Sequence, residues 1–179
     1  MNEFEQLYVT YKNLVFNLSL QYVQNKQDAE EITQDVFVKI HQTLHTFKHE
    51  AKIQTWIYRI TVNKCLDFLK AKQSKKRFAL FTSIFTSSIS TELADNADNI
   101  FAHPGVDLEQ KESLKIIFDC LNQLPDKQKT ALILHKIEHI PQLEIAEIMQ
   151  LHPKAVESLI QRAKANLQKK LDRYEGNKP

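Results

Sequence analysis

Glycine constrains this chain more than any other residue type does. There are only two in 179 residues, at 105 and 176, and no proline before Pro104. Strands and tight turns draw on glycine for positive φ and on proline for a fixed φ. A chain that uses neither for its first hundred residues is read as helical. Residues 3–23 support this, with apolar positions at Phe4, Leu7, Tyr8, Tyr11, Leu14, Val15 and Leu18, the helical period. A polar break, QNKQD, precedes a second amphipathic run that Asp28 caps or begins, with Ile32, Val36, Phe37 and Ile40 on its buried side. A third helix is expected from about Gln54 to Lys72, burying Ile57, Ile60 and Leu69. Three such helices can close one small core.

Residues 78–112 break the pattern. They are rich in Ser, Thr, Asn and Asp and contain Pro104-Gly105, which reads as a linker. Their Phe and Ile residues suggest that the linker docks on something. Helices resume near Leu108, punctuated by Pro125, Pro141 and Pro153, each ahead of an amphipathic run where a missing N–H costs nothing. The runs cover about 126–139, 142–150 and 153–171. The last is long and basic, and the short turn Leu151-His152-Pro153 before it suggests a helix-turn-helix, with Ala146 as the small residue that close packing needs. The fold class is therefore all-α, with two small helical domains at 1–77 and 113–179 joined by a flexible linker at 78–112.

Charge divides along the same boundaries. Residues 52–77 hold eight Lys and Arg against the single acid Asp67, whereas the whole chain is only +2. Residues 78–112 hold six acids and one base. Two segments with basic tracts flanking an acidic connector point to two surfaces that face nucleic acid.

Other chemistries find little support. Cys65 and Cys120 stand too far apart for a zinc pair and read as two buried thiols. His41, His45 and His49 fall at i, i+4 and i+8, but no acid or cysteine joins them, so they read as a polar helix face. There is no phosphate-binding or nucleophile-elbow glycine motif, and no cofactor is called for. No apolar run reaches membrane-spanning length and MNEFEQLYVT has no secretory core, so a cytoplasmic protein is expected.

Two blocks narrow the reading. DAEEITQDVF with TWIYRITVNKCLD resembles region 2 of the extracytoplasmic-function sigma factors, the compact transcription-initiation subunits of bacteria. LNQLPDKQKTALILHKIEHIPQLEIAEIMQ followed by AVESLIQRAK resembles their region 4. Order and spacing also match, over about 4–77 and 113–172. The resemblance implies a non-enzymatic protein that binds core RNA polymerase, recognises duplex −35 and melted −10 promoter elements, and is held by an anti-sigma factor. Asp28, Glu31, Gln34 and Asp35 would then face polymerase. Their spacing of 3 and 4 puts them on one polar stripe.

For the −10 element the resemblance implies Lys48, His49, Lys52, Arg59, Asn63 and Lys70. The loop from about Phe47 to Ile53 would capture an extruded base, which costs a few kcal/mol of lost stacking that phosphate contacts help offset. Lys72, Lys75, Lys76 and Arg77 would hold the backbone, and Trp56 would pack in the core. For the −35 element it implies Lys154, Ala155, Glu157, Ser158, Gln161 and Arg162 on the last helix. Ala155, Glu157 and Leu159 stand where the family often has Thr, Lys and Arg. IEHIPQ lacks the glycine often found in that turn. The linker would thread toward the RNA exit path. The rival reading is a helix-turn-helix regulator that acts on duplex DNA without polymerase; a helical nuclease would need an acid cluster in a pocket.

Overall fold

The computed structural model describes residues 2–48, 51–85 and 108–176, which form helices and no strand. These residues fall into two compact units, one within Met1–Leu44 and Ile60–Asn99, the other within His45–Arg59 and Ile100–Pro179.

In the first unit, α1 (Glu3–Val23) opens with a reciprocal cap. The Glu5 amide donates to Asn2 Oδ1 at 2.8 Å, and the Asn2 amide to Glu5 Oε2 at 3.0 Å. It ends at Gln24, whose φ of 49° is left-handed. Asn25, rather than Asp28, caps α2 (Lys26–Thr43); Asp28 supplies the amide that Asn25 Oδ1 accepts at 2.9 Å. A two-residue connection thus joins two helices that pack on each other. Their shared core holds Val15, Leu18, Tyr22, Ala29, Ile32, Val36 and Ile40. Ser19 is buried there too, donating to the Val15 carbonyl at 2.8 Å, with the buried Cys65 Sγ 3.8 Å from its Oγ. The satisfied hydroxyl avoids the penalty of an unpaired buried polar group.

After a 3₁₀ turn at Leu44–Thr46, α3 spans Ile53–Phe85. It therefore continues through residues 73–85, past the end expected at Lys72, because QSKKRFALFTSIF contains no glycine or proline to stop it. Ile57 is fully buried, whereas Ile60 and Leu69 are only half-buried.

The second unit contains α4 (Leu108–Asn122), α5 (Asp126–Leu132), α6 (Gln142–Met149) and α7 (Pro153–Gly176). Pro125 and Pro141 occupy the N-cap positions of α5 and α6, and Pro153 is the first residue of α7, so none removes a ladder hydrogen bond. A π-helical turn at Ile133–Ile137 prolongs α5, with Glu138 N bonding the Ile133 carbonyl at 3.1 Å. Ala131, Ile133, Leu134, Ile145, Ala146, Val156, Ile160 and Ala163 form the core. At the rim, Asn166 Nδ2 donates to Gln128 Oε1 at 2.9 Å and Lys170 Nζ to Gln123 Oε1 at 3.1 Å.

His139 (φ 55°) lies before α6 and Gln150 (φ 53°) after it, both left-handed. His139 stands in the turn where the expected glycine is missing. Cys120 is buried, as expected.

Candidate polymerase and nucleic-acid interfaces

On α2 the buried residues Ala29, Ile32, Val36, Phe37 and Ile40 fix which face turns outward. Glu31, Gln34 and Asp35 are exposed on it, and Asp28 is partly covered. Two of the four acceptors are already engaged. Lys72 Nζ sits 2.8 Å from Asp28 Oδ2, and Lys64 Nζ 3.3 Å from Asp35 Oδ2. Such solvent-facing pairs contribute about 0–1 kcal/mol and are easily exchanged for other partners. Lys72, expected on a DNA backbone, is thus paired with a carboxylate. Glu31 and Gln34 have no side-chain partner among the described residues.

An apolar feature continues this stripe that sequence reasoning missed. Phe4, Tyr8, Val9, Phe37 and Val38 line an open cleft of about 690 Å³ with Gln34, His41 and Gln42 at its edge. Tyr8 and Phe37 meet edge-on at 4.8 Å, and the His41 ring meets Phe4 edge-on at 5.0 Å. Val9 and Val38 remain more than half exposed. The signal was present: both are apolar residues off the core stripe of their helices.

Within the second unit, Thr46, Phe47, Lys48, Ala51, Trp56 and Arg59 line a cleft of about 570 Å³, to which Glu147 and Gln150 also contribute. Trp56 is half-buried rather than part of the core. It lies 5.0 Å from Phe47 at an interplanar angle of 36°. Aromatic faces on a cleft with Lys48 and Arg59 provide both the stacking surface and the positive charge that an unpaired base requires. Arg59 Nη2 donates to the Glu147 carbonyl at 2.8 Å, and its Nε is buried without a partner among the described residues. Nearby, Thr55 Oγ1 donates to Glu144 Oε1 at 3.1 Å and Tyr58 Oη to Glu138 Oε2 at 2.8 Å. Burial, reinforced by the Glu138 carboxylate, pushes the Tyr58 phenol well above the ordinary tyrosine range.

Lys48, Lys52, Asn63 and Lys70 are all exposed. His49 lies outside the described residues, as does the stretch 86–107 of the expected linker.

The helix-turn-helix is formed by α6, the turn Gln150–His152 and α7. Leu151 N bonds the Ala146 carbonyl at 2.9 Å across the turn. His152 caps α7: its carbonyl accepts from Ala155 N at 2.8 Å, and its Nδ1 from Lys154 N at 3.3 Å. Val156, Leu159, Ile160 and Ala163 are buried at helical spacing. That orientation leaves Lys154, Glu157, Gln161 and Arg162 exposed, with Ala155 and Ser158 half-exposed. All six expected −35 contacts thus lie on the open side of α7. Leu159, at a position where the family often has arginine, is inward-facing.

Comparison with known proteins identifies two matched regions. Residues 7–75 match Sigma-70 region 2, and residues 114–167 match Sigma-70 region 4. The chain is 31% identical over 173 residues to the ECF RNA polymerase sigma-E factor of Haemophilus influenzae, covering 94% of this chain and 87% of that one. It is 27% identical over 165 residues to the ECF RNA polymerase sigma factor SigW of Bacillus subtilis, covering 90% and 84%. In fold it is similar to the sigma factor RpoE of Bartonella quintana, solved with the anti-sigma factor NepR. The TM-score is 0.65 at 20% identity, covering 96% of this chain and 98% of that one.

Proposed function

Because the chain belongs to the extracytoplasmic-function sigma factors, we propose that it joins core RNA polymerase, directs initiation at promoters with −35 and −10 elements, and stabilises the melted strand. The observation that carries this is the presence, in order in one chain, of a region 2 match at 7–75 and a region 4 match at 114–167. In this reading residues 1–77 and 113–179 are the two binding modules, with 45–59 packed in the second compact unit, and 78–112, which takes in the end of α3 and the start of α4, is their connector. The mechanism is binding alone, in the cytoplasm, without catalysis or cofactor.

Glu31, Gln34 and Asp35, with Asp28, meet polymerase through the exposed side of α2. Asp35 then exchanges its pair with Lys64 for a basic group of the enzyme. Lys48, His49, Lys52, Arg59, Asn63 and Lys70 engage the −10 element. Its extruded base lies against Phe47 and Trp56. For this, the Arg59 guanidinium leaves the Glu147 carbonyl. Lys154, Ala155, Glu157, Ser158, Gln161 and Arg162 engage the −35 element in the major groove. An anti-sigma factor is the expected regulator, since the Bartonella relative was solved with one. The rival helix-turn-helix regulator leaves residues 7–75 without a role.

A binding titration tests the polymerase face. Labelled full-length chain is titrated with core polymerase, and Asp35→Arg and Glu31→Arg are compared with wild type. The proposal expects each reversal to weaken binding at least about tenfold, equivalent to ~1.4 kcal/mol. Unchanged affinity in both would place polymerase elsewhere.

A further inference from the structure

From Pro153 to Leu171, Glu157 is the sole acid against Lys154, Arg162, Lys164, Lys169 and Lys170. It is exposed and forms no ion pair among the described residues; Arg162, the nearest guanidinium in sequence, instead directs its Nε to the Ser158 carbonyl at 3.2 Å. Burial of Val156, Leu159 and Ile160 holds α7 in a fixed rotation, so Glu157 is on the open side beside Lys154 (i−3) and Gln161 (i+4). This is the N-terminal part of the second helix of a helix-turn-helix, the part that reaches base edges. We propose that Glu157 is a specificity-determining residue that selects cytosine at one position of the upstream promoter element.

Donor and acceptor chemistry narrows the partners open to Glu157. An ionised carboxylate only accepts hydrogen bonds. Phosphates offer it no donor and repel it. In the major groove, guanine presents N7 and O6 and thymine presents O4, all acceptors. Only cytosine N4 and adenine N6 donate. Adenine sets its N7 acceptor beside N6, so the second carboxylate oxygen meets a lone pair there. Cytosine has no such acceptor on its own ring edge, where C5–H stands beside N4. An acid in an otherwise basic stripe weakens non-specific attraction wherever it lies, and a cytosine amino group is the partner that offsets this loss best.

The assignment rests on α7 entering the major groove as proposed above. The test uses the full-length chain with core RNA polymerase, transcribing a template library whose upstream element is randomised, with transcripts sequenced. Wild type is expected to select cytosine at one position. Glu157→Gln is expected to lose that selection by about 5- to 150-fold. Adenine should gain there, because a glutamine amide pairs with its N6 and N7. Other positions should keep their preferences, and non-specific duplex binding of E157Q should equal or exceed wild type. Identical preferences in wild type and E157Q, or no cytosine selected by wild type, would overturn the assignment alone. No promoter-dependent initiation by wild type would overturn the reading beneath it as well.

Discussion

Replacing His139 and Gln150 by glycine should stabilise the protein, although glycine ordinarily weakens a helical chain. Both residues are exposed, so little packing is lost, and both hold φ near 55°. A residue with a Cβ spends about 1–2 kcal/mol in that region. Glycine spends almost none, but it adds about 0.4–1 kcal/mol of unfolded-state freedom. The difference is a net gain of about 0.5–1 kcal/mol per site. If the two sites add, the double variant gains about 1–2 kcal/mol. At roughly 2–4 °C per kcal/mol for a chain of this length, Tm should rise by about 2–8 °C. Urea unfolding followed by circular dichroism would measure this, with the midpoint moving and the slope unchanged. Lys164→Gly, at an exposed helical position of α7, is the control and should lose about 0.5–1 kcal/mol. If H139G and Q150G lost stability as K164G does, the left-handed turns bracketing α6 would be wrong.

Tyr58→Phe removes the phenol that bonds Glu138 and should cost about 1–2 kcal/mol at neutral pH, read from chemical denaturation. The phenol's folded pKa is raised, so the unfolded state loses its proton first as pH climbs. Tyr58's contribution is therefore complete below about 10 and falls away above it. Y58F should lose less stability than wild type between neutral and strongly alkaline pH. Lys154→Ala should lower the log–log salt slope of duplex binding by about one, as loss of a single phosphate contact does. An unchanged slope would take Lys154 off the backbone.

Helix existence and fold class were legible from the residues, since Val15, Leu18, Ile32, Val36, Ile145, Val156 and Ile160 recur at helical spacing and are all buried. The helix-turn-helix was legible too, down to Ala146 beneath its turn. The scarcity of glycine misled in one respect. It suggested a chain that seldom visits positive φ, yet Gln24, His139 and Gln150 all do. Their cost is small enough for a folded core to carry, and composition does not reveal where it falls. The end of α3 was missed because a polar, basic run such as QSKKR looks like a fray but contains no breaker. Trp56 and Ile60 show another limit: periodicity gives a stripe, not what covers it. Long-range pairs were out of reach for the same reason. Lys72 and Asp28 are 44 residues apart, and Tyr58 and Glu138 are 80 apart, and nothing local marks either pairing. The loop from about Phe47 to Ile53 was picked out from the sequence, but the cleft there and its Phe47–Trp56 lining needed three-dimensional placement.

The most direct test of the account is a reconstitution with core RNA polymerase freed of other sigma factors. The full-length protein is added with genomic DNA fragments that include its own upstream region, and transcript starts are mapped. The account predicts discrete starts that share two upstream elements and that disappear with Asp35→Arg, a variant that should fold normally because Asp35 is exposed. Duplex DNA binding with no polymerase association and no discrete starts would contradict it, and would leave a helix-turn-helix protein that acts alone.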